Sequence, residues 1–280
     1  MSLTMPQPLT NFSRLAIHTM TNKPWTLPQC IHAYTHAGIP AITVWRNVID
    51  PIGAPAAAKM LADSGLIVVS LARGGFFPAL QAPQRQAALD DNRRAIDQAA
   101  AIGAPLLVLV CGAVPGLPLP TARSQIRDAI GSLLPYAQSH NVKLAIEPLH
   151  PMYAADRSAI NTLAQARHIC EYHQSPFLGI ALDVYHTWWD PDLEKEIQLA
   201  AQQKTLLAFH ICDWRPNTRD LLNDRGLMGE GCINLEHIRA CVESTGFTGY
   251  NEVEIFSTTR WASDQAQYLE QIKQAYLTYS

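Results

Sequence analysis

The chain has 280 residues, 48% of them hydrophobic, and its 21 basic and 24 acidic side chains give a formal net charge of −3. This composition suits a globular protein with a sizeable core in one large domain. Because no basic run stands out, it gives no support to nucleic-acid binding or to attachment to a membrane surface, so we expect neither partner.

Eight short runs along the chain are almost continuously apolar, without the alternation of polar and apolar residues that marks a half-exposed strand. This pattern is typical of parallel strands buried on both faces. The predicted strands span residues 14–19, 41–45, 66–72, 106–111, 143–148, 178–184, 206–211 and 250–256.

Segments with a helical pattern lie between the strands. They are predicted over residues 27–37, 84–102, 158–173, 190–203, 235–245 and 262–278. Gly38, Gly103 and Gly246 directly follow three of them, as left-handed helix caps do. Asn234 precedes another helix at the position of an N-cap.

Strands in alternation with helices predict an α/β protein with a parallel sheet and right-handed crossovers. Eight units favour a closed (β/α)8 barrel, the TIM barrel, which needs ~250 residues, over an open doubly wound sheet. No G-x-G-x-x-G follows the first strand, so the fingerprint of a dinucleotide-binding sheet is missing. No Gly-, Ser- or Pro-rich linker divides the chain, and we predict a single barrel domain over residues 1–280.

The cysteines and the N-terminal segment favour a cytoplasmic protein. None of the six cysteines forms a C-x-x-C pair, so we expect free and mostly buried thiols. Residues 1–20 contain neither the apolar core nor the small-residue cleavage site of a secretion signal. No apolar stretch approaches the ~20 residues of a membrane-spanning helix.

Ionisable residues stand at the ends of four successive predicted strands. Glu147 and Asp183 end the fifth and sixth strands, and His210 and Glu254 lie near the ends of the seventh and eighth. In a barrel the carboxyl ends of the strands meet at one mouth, where active sites lie. Carboxylates buried together are costly unless a cation compensates them. We therefore predict that these four residues hold a divalent metal ion.

The ligand types narrow the choice of metal. Three carboxylates and one imidazole favour Mn²⁺ or Mg²⁺, accept Zn²⁺ or Co²⁺, and argue against a thiolate-bound structural zinc. The chain has no G-x-S-x-G elbow, no P-loop and no Cys–His pair with nucleophile spacing, so other catalytic classes lack their motifs.

Further candidates for substrate binding follow the same strand ends. We expect His186 to donate a hydrogen bond to the substrate, Trp188 to form a pocket wall, and His150 to lie beside the ligands. Arg225 lies in the long segment 212–234 and is a candidate for binding substrate oxygens, because long loops are often functional. Weaker candidates for the same region are Asp213, Arg219, His18, Trp45, Arg46 and Arg73.

Together these segments resemble the xylose isomerase-like TIM-barrel superfamily, which includes sugar and sugar-phosphate isomerases and epimerases, inosose dehydratases and the endonuclease IV group. Glu147-Pro148-Leu149 looks like the E-P-L after the fifth strand of ketose 3-epimerases, and Asp183-x-x-His186 looks like their D-x-x-H. His210 resembles their seventh-strand histidine, and Val253-Glu254-Ile255-Phe256 their second catalytic glutamate segment. The resemblance covers essentially the whole chain and is strongest over residues 143–256.

The resemblance implies a metal-dependent sugar or sugar-acid isomerase or epimerase that transfers a proton next to a carbonyl group through an enediolate. Glu147 and Glu254 would act as base and acid, and His186 would hold a substrate oxygen. The extra ligands of the three-zinc endonucleases are missing, because glycine occupies position 226 and arginine position 73. One metal ion is therefore expected.

Other functions remain open at this stage. The same site would make a dehydratase of a keto-sugar or keto-inositol if a β-hydroxyl group left after proton removal. An endonuclease IV-like phosphodiesterase is disfavoured by the missing ligands and the negative net charge. A non-catalytic sugar-binding protein would bind ligand without needing Glu254. We expect a small carbohydrate as partner, and the sequence leaves homo-oligomer formation open.

Overall fold

The eight predicted strands form a closed parallel barrel in the computed structural model, which describes residues 7–280. The strands are β1 (Leu15–His18), β2 (Ala41–Trp45), β3 (Ile67–Gly75), β4 (Leu106–Val110), β5 (Lys143–Glu147), β6 (Leu178–Asp183), β7 (Leu206–Ile211) and β8 (Asn251–Val253). They pair in chain order, and β8 pairs with β1 to close the barrel. The predicted (β/α)8 fold is confirmed.

Helices surround the barrel and also begin several of the loops at its carboxyl end. They are α1 (Leu27–His36), α2 (Arg46–Ile49), α3 (Ala54–Ser64), α4 (Ala82–Ala101), α5 (Leu119–Ser139), α6 (Leu163–His173), α7 (Val184–Thr187), α8 (Leu193–Gln202), α9 (Leu235–Ser244), α10 (Thr258–Trp261) and α11 (Gln265–Tyr279). Within residues 7–280, none of these is both long enough and apolar enough to cross a membrane.

The sequence pattern does not predict α3 or α5, although both belong to the outer ring of helices. Only Ala57 and Leu61 of α3 are buried, so its apolar face is too narrow to give a clear helical period. Inside α5 lie Gly131 and Pro135, two residues that weaken helices. Packing of its apolar face on the barrel outweighs that intrinsic preference.

Helix ends follow the predicted signals more closely. Gly38, Gly103 and Gly246 have φ angles of 70°, 74° and 83°, as expected for left-handed caps. The Asn234 side chain accepts a hydrogen bond from the His237 backbone N–H at the start of α9. The segment 158–162, predicted as helix, precedes α6 instead, because Ser158 forms an isolated β-bridge with Gly112 and Thr162 caps the start of the helix.

The barrel interior is apolar on one side and polar on the other. Strands β4 to β7 fill their part with small and branched side chains, namely Leu106, Val108, Ala145, Ala181 and Ala208. The other strands place buried polar groups inside, namely His18, Thr43, Ser70 and Glu252. Because side chains alternate along a strand, the remaining strand residues face outward and pack against the helices. The polar half lies next to the candidate site.

All six cysteines are free and five of them are buried, as the sequence analysis predicts. The predicted lack of a secretion signal concerns a segment whose residues 1–6 lie outside the described residues. The extension of the domain to residue 1 therefore stays a prediction.

Gly75 at the end of β3 is a position where only glycine fits. Its φ is 109°, and an added Cβ would lie 1.9 Å from the Val110 carbonyl oxygen. We expect Gly75→Ala to lower the free energy of unfolding by more than about 3 kcal/mol, because strain and a backbone clash combine. Gly65→Ala is the control, since its φ is also positive but no atom lies within 4 Å. Urea denaturation measures both variants, and the expected loss of unfolding free energy for Gly65→Ala is about 1–2 kcal/mol. Equal losses would contradict the steric argument.

Candidate active site

The four predicted ligands come together at the carboxyl end of the barrel. Glu147 and Asp183 are the last residues of β5 and β6, His210 lies in β7, and Glu254 directly follows β8. One potential ligand atom from each lies within 4.8 Å of the others, and all four side chains are buried. We call these four residues the quartet. Asp183 pairs with His210 across β6 and β7, and His210 pairs with Glu252, two residues before Glu254, so neighbouring strand ends bring together residues far apart in sequence.

Arg225 is the cation that pairs with the quartet in this structure. Its Nη1 atom lies 2.9 Å from both Asp183 Oδ2 and Glu254 Oε2, and the side chain is buried. Its guanidinium also lies over the rings of Tyr185 and Phe256, at 4.4 and 4.9 Å from their centroids. A fully buried arginine of this kind offsets the repulsion of two carboxylates.

The quartet carboxylates respond to their surroundings in opposite ways. Burial raises the pKa of Asp183 to about 7 against the opposing charge of Arg225, and the charges of Glu254 and Glu147 raise it further. For Glu254, burial acts against ionisation, but the charges of His18 and Arg225 hold its pKa well below the usual range. Of these two carboxylates, Asp183 is therefore the one whose ionised form the folded protein disfavours.

His210 contacts carboxylates on both sides of its ring. Its Nδ1 atom lies 2.9 Å from Glu147 Oε1, and its Nε2 atom lies 3.8 Å from Glu252 Oε2. Burial lowers the pKa of His210, but the Glu252 charge and the hydrogen bond with Glu147 raise it to about 10. Nε2 has no hydrogen-bond partner within residues 7–280. With Nδ1 towards the quartet and Nε2 towards a carboxylate, the ring has the usual surroundings of a metal-binding histidine.

Glu252 is a buried carboxylate that the sequence analysis did not identify. It accepts a hydrogen bond of 2.5 Å from Thr43 Oγ1, and His18 Nε2 lies 3.5 Å away. The other ring nitrogen of His18 lies 3.1 Å from Glu254 Oε1. Strand alternation was the available signal, because residues 252 and 254 must face the same side of β8.

The quartet fits a divalent cation by its donor set. Three buried carboxylates and an imidazole supply the oxygen and nitrogen ligands that such ions prefer. Arg225, His210 and His18 each place a nitrogen atom within 3.1 Å of a glutamate of the quartet, so these carboxylates already attract positively charged groups. A second group at the mouth, His18, His210 and Glu254, shares two of the same residues and is not a separate site. The remaining group, Glu194, His237 and Cys241, lies outside the barrel on α8 and α9.

His186 lies beside the quartet as a neutral imidazole. Burial, followed by the charge of Arg225, holds its pKa well below the usual value. The His150 backbone N–H donates to Nδ1, and the guanidinium of Arg225, which is also a donor, lies against Nε2, so a neutral ring can accept from only one of the two. Nε2 is 3.6 Å from Asp183 Oδ2 and 3.2 Å from Arg225 Nη2.

A cavity of about 250 Å³ opens beside the quartet. Glu147, Glu254, His186 and Arg225 line it, together with an aromatic wall. The wall consists of Trp45, Phe76, Tyr153, Phe256 and Trp261. Its volume lies below the ~300–1,000 Å³ typical of sites for drug-sized ligands, which suits a small molecule.

Two predicted substrate-binding residues lie outside the lining of this cavity. Trp188 packs against Trp214, with ring centroids 5.7 Å apart. His150 stacks near the same indole and reaches the site only through its backbone N–H on His186. Trp188 directly follows α7 and His150 lies three residues after β5, so adjacency in sequence to a strand end does not place a side chain in the cavity lining.

The long segment after β7 has its own organising residue. Asp213 accepts hydrogen bonds from the backbone N–H groups of Trp214, Gly229, Gly231 and Ile233, at 2.8 to 3.0 Å. It therefore holds the loop and does not contact the quartet. Arg219 pairs with Asp224 through two nitrogen atoms and is mostly exposed, so it too lies outside the cavity lining.

A larger groove of about 630 Å³ lies on the surface between α1 and α11. It is lined mainly by helix side chains, including His32, His36, Glu270 and Lys273. No member of the quartet borders it, so it is unrelated to the ionisable cluster at the mouth.

Fold and quartet together define the class, a TIM barrel with its candidate site at the carboxyl mouth. Residues 31–273 match the family described as xylose isomerase-like TIM barrel, and the chain belongs to this family. Protein SMc04130 from Sinorhizobium meliloti 1021 is 44% identical, with a TM-score of 0.92 over 95% of this chain and 98% of that one. The resemblance inferred from the sequence motifs is confirmed.

More distant relatives share the fold with different activities. A structure of IolI protein with a bound zinc atom has 17% identity and a TM-score of 0.82, covering 94% and 96% of the two chains. A 3-keto-D-glucoside 4-epimerase from E. coli has 16% identity and a TM-score of 0.74, covering 95% and 99%. A 3-dehydroshikimate dehydratase of Pseudomonas putida is 24% identical over 83% of this chain, which spans only 36% of that protein.

Removing the Arg225 charge tests the electrostatic description of the site. We expect Arg225→Gln to lower the free energy of unfolding of the metal-free protein by about 3–5 kcal/mol, because two buried carboxylates lose their partner. Arg219→Gln, in the same loop, is the control and should change it by less than about 1 kcal/mol. Urea denaturation after chelation gives both values, and a stable Arg225→Gln protein would contradict the pairing.

Proposed function

We propose that this chain is a divalent-metal-dependent isomerase or epimerase of a small carbohydrate. The observation that carries the proposal is the quartet, whose ligand atoms lie within 4.8 Å of one another while two of its carboxylates also line the cavity. Solved structures with the same fold include IolI protein with a bound zinc atom and a 3-keto-D-glucoside 4-epimerase, which supports metal-assisted sugar chemistry.

Glu147, Asp183, His210 and Glu254 would hold one ion, for which Mn²⁺ or Mg²⁺ suits the three carboxylates best and Zn²⁺ or Co²⁺ is an acceptable substitute. When bound, the ion supplies Lewis-acid polarisation of a carbonyl group and so acidifies the neighbouring C–H bond. The protein supplies the rest: groups that move the proton, groups that orient the substrate, and walls that exclude water.

The two glutamates are placed to move the proton. Glu147 ends β5 and Glu254 follows β8. The two strands are three apart around the barrel, and both side chains reach the same cavity. A molecule between them presents different faces to the two carboxylates. One glutamate removes the proton and the other returns it, to the opposite face in an epimerase or to the adjacent carbon in an isomerase.

Neighbouring groups orient the substrate and the glutamates. The neutral His186 lies in the cavity wall, where its imidazole can hydrogen-bond a substrate hydroxyl group. Arg225 fixes the Glu254 carboxylate through its 2.9 Å contact and is within reach of the same oxygen. The aromatic wall covers the remaining sides, which strengthens these electrostatic interactions by excluding water.

Metal binding can be measured without knowing the substrate. We expect the chelated protein to take up one Mn²⁺ per chain, with Tm raised by about 5–10 °C at ~100 times the Kd. Asp183→Asn should weaken binding at least about tenfold, because a quartet oxygen loses its charge. Glu194→Gln is the control, since Glu194 belongs to the separate surface group with His237 and Cys241. Elemental analysis gives the metal content, and calorimetry gives the Tm and the affinity. Metal binding unaffected by Asp183→Asn would rule out the quartet as the metal site.

The acid–base assignment is tested by isotope exchange. We expect Glu147→Gln and Glu254→Gln each to slow exchange at the carbon next to the carbonyl at least about hundredfold, because each removes a proton-transfer group. The measurement is proton NMR in D₂O with the best substrate from a panel of ketoses and keto acids. Glu270→Gln, an exposed substitution on α11, should keep wild-type exchange. Wild-type rates in both active-site variants would show that other groups move the proton.

A dehydratase is the second candidate, favoured by the relationship to the 3-dehydroshikimate dehydratase of Pseudomonas putida. The first step would be the same proton removal, followed by loss of a β-hydroxyl group. Because elimination creates a conjugated product, ultraviolet absorbance during turnover of 3-dehydroshikimate or a keto-sugar separates the two activities. Exchange without new absorbance supports the isomerase or epimerase.

A further inference from the structure

Two arginines in the cavity wall have no anionic partner. Arg73 in β3 and Arg157 in the loop after β5 both line the cavity that contains Glu147 and Glu254. Within residues 7–280, neither guanidinium donates a hydrogen bond to a protein group, and neither lies within 4.0 Å of a carboxylate oxygen. Arg225, by contrast, makes two ion pairs in the same cavity.

Aromatic rings hold both guanidinium groups in place. The Arg73 guanidinium carbon lies 4.2 Å from the centroid of the Phe76 ring, and that of Arg157 lies 5.6 Å from the centroid of the Tyr153 ring. Both rings belong to the cavity wall. Such cation–π contacts orient a guanidinium and leave its N–H donors free for a ligand.

The charge of the cavity is unbalanced towards the positive side. Arg225 and one divalent ion would compensate the quartet carboxylates, so Glu147 and Glu254, which otherwise favour the charged form of Arg73, would no longer offset Arg73 and Arg157. Burial lowers the pKa of Arg73, and the charge of Arg157 lowers it further. Like charges in a half-buried wall are unfavourable until an anion binds between them.

We propose that Arg73 and Arg157 form an anion subsite that binds a carboxylate or phosphate group of the substrate. This rests on the proposed function and narrows it, because the substrate is then a small acid and not a neutral sugar. Planar guanidinium groups bind such groups through paired hydrogen bonds, which fixes the orientation of a molecule as well as its affinity. With its anionic end at the two arginines, the substrate would present its carbonyl end to Glu147 and Glu254.

The test compares three probes on the Mn²⁺-loaded protein: neutral D-fructose, the carboxylate 5-keto-D-gluconate and the phosphate ester D-fructose 6-phosphate. We expect calorimetry to show at least about tenfold tighter binding of one anionic probe than of D-fructose. Which probe binds better distinguishes a carboxylate from a phosphate substrate.

Substitutions then locate the subsite. Arg73→Gln and Arg157→Gln should each weaken binding of the preferred anionic probe about tenfold to hundredfold, since a charge-assisted hydrogen bond is lost. Binding of D-fructose should not change. Arg94→Gln is the control, because Arg94 is an exposed arginine on α4 that pairs with Asp91. The two positions lie on different elements, so Arg157→Gln keeps the test decisive if Arg73→Gln does not fold.

The outcomes separate this proposal from the proposed function. If no anionic probe binds more tightly than D-fructose, or if both arginine variants keep wild-type affinity, the anion subsite is wrong even where isotope exchange proceeds. If anionic probes bind through the two arginines but no exchange occurs with any of them, the subsite stands and the isomerase or epimerase assignment fails.

Discussion

Three buried carboxylates at one end of the barrel need positive charge nearby, and much of the molecule's polar structure follows from that requirement. Glu147, Asp183 and Glu254 lie where the carboxyl ends of β5, β6 and β8 meet, and burial alone disfavours their ionisation. Arg225 and the ring of His210 supply positive charge at 2.9 Å. A divalent ion would meet the same requirement with more ligand atoms, which is why this pattern of charges supports a metal site.

Polar contacts around the quartet continue into the barrel interior. Glu252 lies two residues before Glu254 and contacts His18 and Thr43, so the polar half of the interior continues the charge network into the barrel. The opposite half, from β4 to β7, is filled with apolar side chains such as Val108 and Ala181. The barrel thus combines a rigid apolar half with a polar half that orients the ionisable residues.

Sequence patterns were sufficient for the strands and the quartet because both follow simple rules. Buried parallel strands are continuously apolar, and a charged residue that ends such a strand must face the mouth. Glu252 escaped notice because it lies inside the predicted strand 250–256 and not at its carboxyl end. Arg157 and Trp188 depend on how loops fold back, since Arg157 enters the cavity from a loop while Trp188 leaves it. The helix α5 depends on packing that overrides Gly131 and Pro135.

The Asp213 carboxylate, with its four backbone hydrogen bonds, gives the loop after β7 a framework that does not depend on most of its side chains. Backbone N–H groups are present in every residue but proline, so the segment between Arg215 and Asn223 can change sequence without losing this anchor. Arg225 would stay in position while the residues at the cavity rim, Leu222 and Asn223, are substituted. Directed evolution of substrate range in this barrel would therefore begin best with a library confined to that stretch of loop.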